Sequence, residues 1–232
     1  MKIAMWSGPR NLSTAMMYAF GNRADFAAWD EPFYAAYLKR TGIDHPMRDE
    51  IIAQHDADSV SVSAQIAGPV PDGKEHWYMK HMGIHMEDTP LDWAEDCVNV
   101  HLIRHPARVI ASYAAKRENP SFWDIGFQQQ LEIFERFPGP VIDSADIRRD
   151  PEGMLRKLCI AIGLEFDPAM LSWQAGPRDF DGVWAAHWYG SVHKSTGFAG
   201  AEGALPELQD EAAKLVAQAM PFYAKLAESK LA

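Results

Sequence analysis

Lys2-Ile3-Ala4-Met5-Trp6-Ser7-Gly8-Pro9-Arg10-Asn11-Leu12-Ser13-Thr14-Ala15-Met16-Met17 is the stretch from which the rest of the chain is read. Lys2 to Trp6 is a short apolar run, a glycine- and proline-bearing turn follows, and a helical pattern runs from about Leu12 to Asn22. The order predicts strand, loop and helix. Backbone N–H groups of such a loop, joined by those of the helix N-terminus, converge on an anion. Arg10 adds a charged fork, and Ser13 and Thr14 add hydroxyl donors. An ordinary capped strand-to-helix turn is the competing reading. The loop is not a Walker A sequence, which requires a Gly-Lys pair for the terminal phosphates and a hydroxyl for Mg²⁺.

Outward from this unit, strands are expected at Phe26–Trp29, Trp77–Lys80, Val98–Ile103 and Val141–Ser144. Helices are expected at Ala107–Arg117, Phe122–Phe137, Pro151–Ile162 and Pro206–Leu226. Alternating strands and helices, with strands apolar at nearly every position, predict an α/β fold whose mainly parallel sheet is covered on both faces. Such sheets bind ligands beyond the carboxyl ends of their strands. Residues 41–75 interrupt the pattern, with short helices near Met47–His55 and Ser59–Ala67 before the turn Gly68–Gly73. An insertion of that kind is expected to form a lid or an acceptor wall.

A second anion signal follows the fourth strand in Arg104-His105-Pro106-Ala107-Arg108-Val109-Ile110-Ala111-Ser112. Pro106 suits the first turn of a helix, so Arg104 stands at the strand tip and Ser112 nearly two turns along. Both can face one anion, although a solvated arginine and a helix-lining serine fit the same letters. Taken together, the two segments resemble the nucleotide site of sulfotransferases that use 3'-phosphoadenosine 5'-phosphosulfate (PAPS). The resemblance extends over most of residues 1–170, including the fifth strand and the helix after Asp150-Pro151. It implies a three-layer α/β/α fold of the P-loop NTPase-like kind. It further implies that Ser7, Gly8, Pro9, Arg10, Asn11, Leu12, Ser13 and Thr14 hold the 5'-phosphosulfate without metal, and that Arg104 and Ser112 hold the 3'-phosphate. Leu12 stands where that family's loops often carry glycine. Lys194-Ser195-Thr196-Gly197 is similar to the basic, glycine-containing loop that closes over the 3'-phosphate, without the family's Arg-Lys-Gly, and a plain surface turn is the alternative.

Sulfuryl transfer needs positioned reactants, stabilised oxygens and a base for the acceptor proton. Glu31 follows the second strand, and the resemblance implies that it is the base; a solvent-exposed carboxylate at a helix start is the alternative. Lys80, at the third strand's tip, is expected on the bridging oxygen of the leaving nucleotide, with a structural ion pair as the rival. Arg10 joins these as a catalytic cation and His81 as a second base. His81 and His85 are four apart, a spacing that on a helix can hold zinc, but no third ligand is apparent and no metal is expected. Trp184, Trp188 and Tyr189 stack on adenine, wall the acceptor pocket, or pack in the core.

Composition bounds the remaining readings. The 232 residues are 47% hydrophobic and suit one domain over 1–232. A formal charge of -10 repels nucleic acids, anionic membranes and sulfated polysaccharides, so a small acceptor is expected. No run approaches the roughly 20 apolar residues of a membrane span. Only Cys97 and Cys159 occur, without metal-like spacing, which fits a reducing, cytoplasmic setting. A P-loop small-molecule kinase using ATP and Mg²⁺, or a non-catalytic nucleotide-binding domain, stays open beside the sulfotransferase reading.

Overall fold

Alternation within the first strand explains how the sheet comes to be covered on both sides. In the computed structural model, which describes residues 1–114 and 120–232, β1 (Lys2–Ser7) sends Ile3 and Met5 into one apolar cluster and Ala4 and Trp6 into another. Successive side chains of a strand point to opposite faces, so a strand buried on both is apolar throughout. β2 (Phe26–Asp30), β3 (His76–Met82), β4 (Val98–Ile103) and β5 (Val141–Asp143) complete a sheet of order β2-β3-β1-β4-β5. Every pairing is parallel, with Ile3 opposite Tyr78 on one side and Val98 on the other.

Helices α1 (Ser13–Gly21), α2 (Tyr34–Thr41), α3 (Arg48–Gln54), α4 (Ser59–Ala67) and α5 (Pro106–Ala114) lie in the first half of the chain. α6 (Phe122–Ile125), α7 (Phe127–Arg136), α8 (Ser144–Arg149), α9 (Pro151–Ala161), α10 (Ala185–Trp188) and α11 (Asp210–Ala227) follow. Met16, Met17 and Phe20 of α1, Tyr34 and Leu38 of α2, and Leu155 and Leu158 of α9 pack with Ile3 and Met5. Val62 and Ile66 of α4 and Ile133 of α7 pack with Ala4 and Trp6. The result is the expected three-layer α/β/α architecture.

Beyond shifts of one or two residues, three boundaries differ from the sequence expectation. The helix expected over 122–137 divides at Gly126, whose φ of 71° and the 2.9 Å approach of an added Cβ to Ile84 Cγ2 both demand glycine. The fifth strand stops at Asp143, whose carboxylate accepts the Ala145 N–H and starts the unanticipated α8. The last helix begins at Asp210 and leaves Pro206 outside. The part of the expected 107–117 helix beyond Ala114 lies outside the described residues. No helix among the described residues is long and apolar enough to cross a membrane.

Strand order places the ligand crevice. From β1 the chain moves to β2 and β3 on one side, then crosses to β4 and β5 on the other. Between β1 and β4 the connections therefore leave in opposite directions, which opens a crevice at the carboxyl ends of these two strands.

Candidate active site

A cavity of about 400 Å³ spans those carboxyl ends. It is lined by Pro9–Ala15 after β1, Glu31 after β2, Lys80, Met82 and His85 at the end of β3, Arg104 after β4 and Ser144 after β5. The loop after β1 is held in an unusual shape, with Arg10 and Leu12 at φ of 60° and 68°, and after β2 Glu31 has φ of 40°. Left-handed backbone at non-glycine residues costs of order 1–3 kcal/mol each and gathers at functional sites. Asn11 fixes the loop by donating its amide to Leu102 O at 2.8 Å. Arg104 Nη1 donates to Arg10 O at 2.8 Å, and Arg10 Nε donates to Ser112 Oγ at 3.1 Å. Burial, reinforced by the neighbouring Arg104 charge, lowers the Arg10 pKa from its ordinary value. Arg104 also bonds Glu202, which pairs as well with Arg108 and Arg148.

A second group of residues lines the same cavity. Lys80 is fully buried, and its Nζ donates to Asp30 Oδ1 (2.9 Å), Glu31 Oε1 (2.6 Å) and Tyr189 Oη (2.6 Å). Tyr189 Oη in turn donates to Asp30 and accepts from Trp184 Nε1 at 3.2 Å. Burial alone would lower the Lys80 pKa, but Asp30 and Glu31 overcome it and hold the ammonium above its ordinary value. Burial pushes the Asp30 carboxyl up, partly opposed by Lys80. His85 Nδ1 lies 4.0 Å from Glu31 Oε2, and burial keeps this imidazole neutral by pushing its pKa well down. Tyr34 stacks on His85 at 4.8 Å and meets Trp184 edge-on, and its hydroxyl lies 2.8 Å from His45 Nδ1. The cavity thus joins an arginine-lined anion region to a carboxylate backed by aromatic rings.

Residues 1–230 match the family model described as "Sulfotransferase domain". The chain belongs to the sulfotransferase family. Two proteins of Arabidopsis thaliana, named branched-chain-amino-acid aminotransferase-like protein 2 and protein 1, are 37% and 38% identical to it over 202 residues, 84% of this chain. The chain spans only 36% of the length of each of those relatives. A sulfotransferase domain from the curacin biosynthetic pathway shares the fold at a TM-score of 0.54 and 16% identity, covering 93% of this chain and 96% of that one. A sulfotransferase from Alicyclobacillus acidocaldarius does so at 0.54 and 12%, covering 97% and 94%.

Within this sulfotransferase-family cavity the expected residues divide. Pro9, Arg10, Asn11, Leu12, Ser13, Thr14, Glu31, Lys80, Arg104, Ser112, Ser195 and Gly197 line it. Ser7 does not: it is buried in β1 and donates weakly to His81 O at 3.4 Å. Gly8 is absent from the lining too, because a Cβ there would stand 3.0 Å from Ile125 O, so its smallness serves packing. Lys194 and Thr196 are exposed outside the lining, and Ser195 spends its hydroxyl on Val192 O at 2.7 Å. Of residues 41–75 only His45 reaches the cavity, since α4 turns Val62 and Ile66 into the core.

His81 requires correction as a base. Strand alternation sends it to the opposite face of the sheet from Lys80, where its ring stacks on Trp6 at 4.7 Å. Burial lowers its pKa to about 3, and neither ring nitrogen has a partner among the described residues. The zinc spacing also dissolves, because His81 is in β3 and His85 ends a 3₁₀ turn, so they share no helical face. The role expected for Lys80 meets a physical obstacle as well: an ammonium has three N–H donors, and Asp30, Glu31 and Tyr189 take all three. Sequence reading passed over Asp30 and Arg148; Asp30 ends β2, which was the one signal available for it, whereas Arg148 lies in the last turn of the unanticipated α8.

Proposed function

We propose that this chain transfers the sulfuryl group of PAPS to a hydroxyl or amine of a small acceptor. The supporting observation is the convergence, at the β1/β4 crevice, of the Pro9–Thr14 loop, Arg104 and Ser112 in the cavity that also contains Glu31. The residues suit such a donor: Arg104 Nε is buried with no acceptor among the described residues, which leaves an N–H for a phosphate oxygen. Loop N–H groups with Ser13 and Thr14 hold the phosphosulfate end, and Arg104 and Ser112 hold the 3'-phosphate. Arg10, between them, serves both ends.

In the transfer, the sulfur–oxygen bond to the nucleotide breaks as a bond forms from sulfur to the acceptor heteroatom. The acceptor's proton passes to Glu31. Lys80 acts on that base, not on the leaving oxygen: its Nζ donates to Glu31 Oε1 at 2.6 Å and fixes the carboxylate's position, leaving Oε2 for the acceptor. Tyr34, Trp184, Trp188 and neutral His85 form a wall suited to a partly apolar acceptor, with His45 as the contribution of the 41–75 segment. An acidic chain with two free cysteines, placed in the cytoplasm, would meet small acceptors more readily than polyanions.

Arg104→Ala tests the donor assignment. Loss of charged hydrogen bonds worth about 1.5–3 kcal/mol should weaken 3'-phosphoadenosine 5'-phosphate by roughly 10- to 150-fold in calorimetry. Adenosine 5'-phosphosulfate, which lacks the 3'-phosphate, should change by less than about threefold, a free-energy difference below that of one such bond. Equal losses for the two nucleotides would overturn the assignment.

A further inference from the structure

Glu202 is the buried centre of three arginines. Its side chain is 3% exposed, and it pairs with Arg104, with Arg108 Nε at 3.0 Å and with Arg148 Nη1 at 2.9 Å. Arg104 and Arg148 line the cavity. One carboxylate is a poor match for this setting. Three guanidinium groups bring three positive charges and roughly fifteen N–H donors, while a carboxylate offers one negative charge and about four lone-pair sites. The poor fit is visible on both sides: Arg104 Nε finds no acceptor among the described residues, and Glu202 Oε2, although 3.0 Å from Arg108 Nε, receives no well-directed hydrogen bond.

Among the described residues, little else holds the segment carrying Glu202. Residues 199–205 form no helix or strand, and Glu202 is the one residue among them that is not exposed. Arg148 Nε donates to Gly200 O at 2.9 Å and Arg108 to Gly203 O, so among the described residues the segment's other attachments go to the same arginines. A Cβ added at Gly200 or Gly203 would meet nothing within 4 Å, so packing does not fix either residue.

We infer that Arg104, Arg108 and Arg148 form a phosphate site that Glu202 occupies in the ligand-free chain, latching residues 199–205 until a phosphate group displaces it. A phosphate brings up to two charges and more acceptor oxygens, and it resolves the mismatch that the carboxylate leaves. Because the latched form does not bind, the apparent affinity is reduced by the fraction of molecules that are open. This deepens the nucleotide reading of the same site and, for the nucleotide, rests on it.

The test compares wild type with Glu202→Gln in calorimetric titrations of inorganic phosphate and of 3'-phosphoadenosine 5'-phosphate. The latch predicts that the variant binds both at least about tenfold more tightly, equivalent to a latch closed about nine-tenths of the time. Tighter phosphate binding by the variant, with no nucleotide binding by either protein, would leave the latch standing and remove the nucleotide reading. Phosphate binding that is no tighter in the variant would overturn the latch, and equal nucleotide binding by both proteins would then preserve the nucleotide reading alone. Limited proteolysis of wild type guards against a misfolded variant. Saturating phosphate should speed cleavage after Glu202 by a glutamate-specific protease, and unchanged or slower cleavage there would overturn the proposal.

Discussion

Replacing Lys80 by methionine removes the cation that pairs with Asp30 and Glu31 at the cavity wall and leaves both carboxylates without it. The ammonium sits 2.9 Å from Asp30 and 2.6 Å from Glu31, and the carboxylates are 1% and 8% exposed. Methionine matches the aliphatic stem, so the loss is electrostatic more than steric. Breaking a buried pair by removing one partner costs about 3–5 kcal/mol, here against two partners. For a domain of this size that lowers the melting temperature by roughly 6–20 °C. The loss should depend on pH in a definite direction. Burial already raises the Asp30 pKa, and without Lys80 the main opposition left is the Tyr189 hydrogen bond, so the folded variant binds a proton that the unfolded chain releases. A carboxyl whose folded pKa lies above its unfolded value adds stability below the unfolded pKa and loses it as pH climbs through the folded one. Melts followed by circular dichroism should therefore show a larger deficit at pH 8 than at pH 5, and Asp30→Asn/Lys80→Met should recover part of it. A variant within about 2 °C of wild type at pH 8, equivalent to about 0.5–1 kcal/mol or less, would refute the reasoning, as would an equal deficit at both pH values.

Glu31→Gln should leave 3'-phosphoadenosine 5'-phosphate affinity unchanged and lower turnover by about 10²–10⁴; unchanged turnover would pass the proton to His85, 4.0 Å away. Tyr189→Phe strips the hydroxyl that joins Lys80, Asp30 and Trp184, and should cost about 1–3 kcal/mol in urea unfolding, with no loss counting against a satisfied network. Gly126→Ala meets both a φ of 71° and a 2.9 Å contact, so its melt should fall by an amount equivalent to about 1 kcal/mol or more if the break between α6 and α7 is fixed.

Local physics made the scaffold legible before any coordinates. The apolar run Ile3–Trp6 and the mostly apolar, β-branched Val98–Ile103 identify strands covered on both faces, and Pro106 and Pro151 mark helix starts by their missing N–H groups. From those signals come the parallel sheet, the loop after β1 and the nearness of Arg104 to it. Strand parity, had it been applied to Lys80 and His81, would also have separated them, since neighbours in a strand face opposite ways.

What tertiary structure alone decided is which charges meet. Lys80 and Tyr189 are 109 positions apart, and Arg104 and Glu202 are 98 apart, so no spacing rule links them. The sequence by itself determined where anion donors stand along the strands, because periodicity and capping act over a few residues. Whether a given donor is spent on a carboxylate or left for a ligand depends on segments that return from far along the chain. That choice follows from burial, which makes each unpaired charge costly enough to recruit whatever partner the fold brings near.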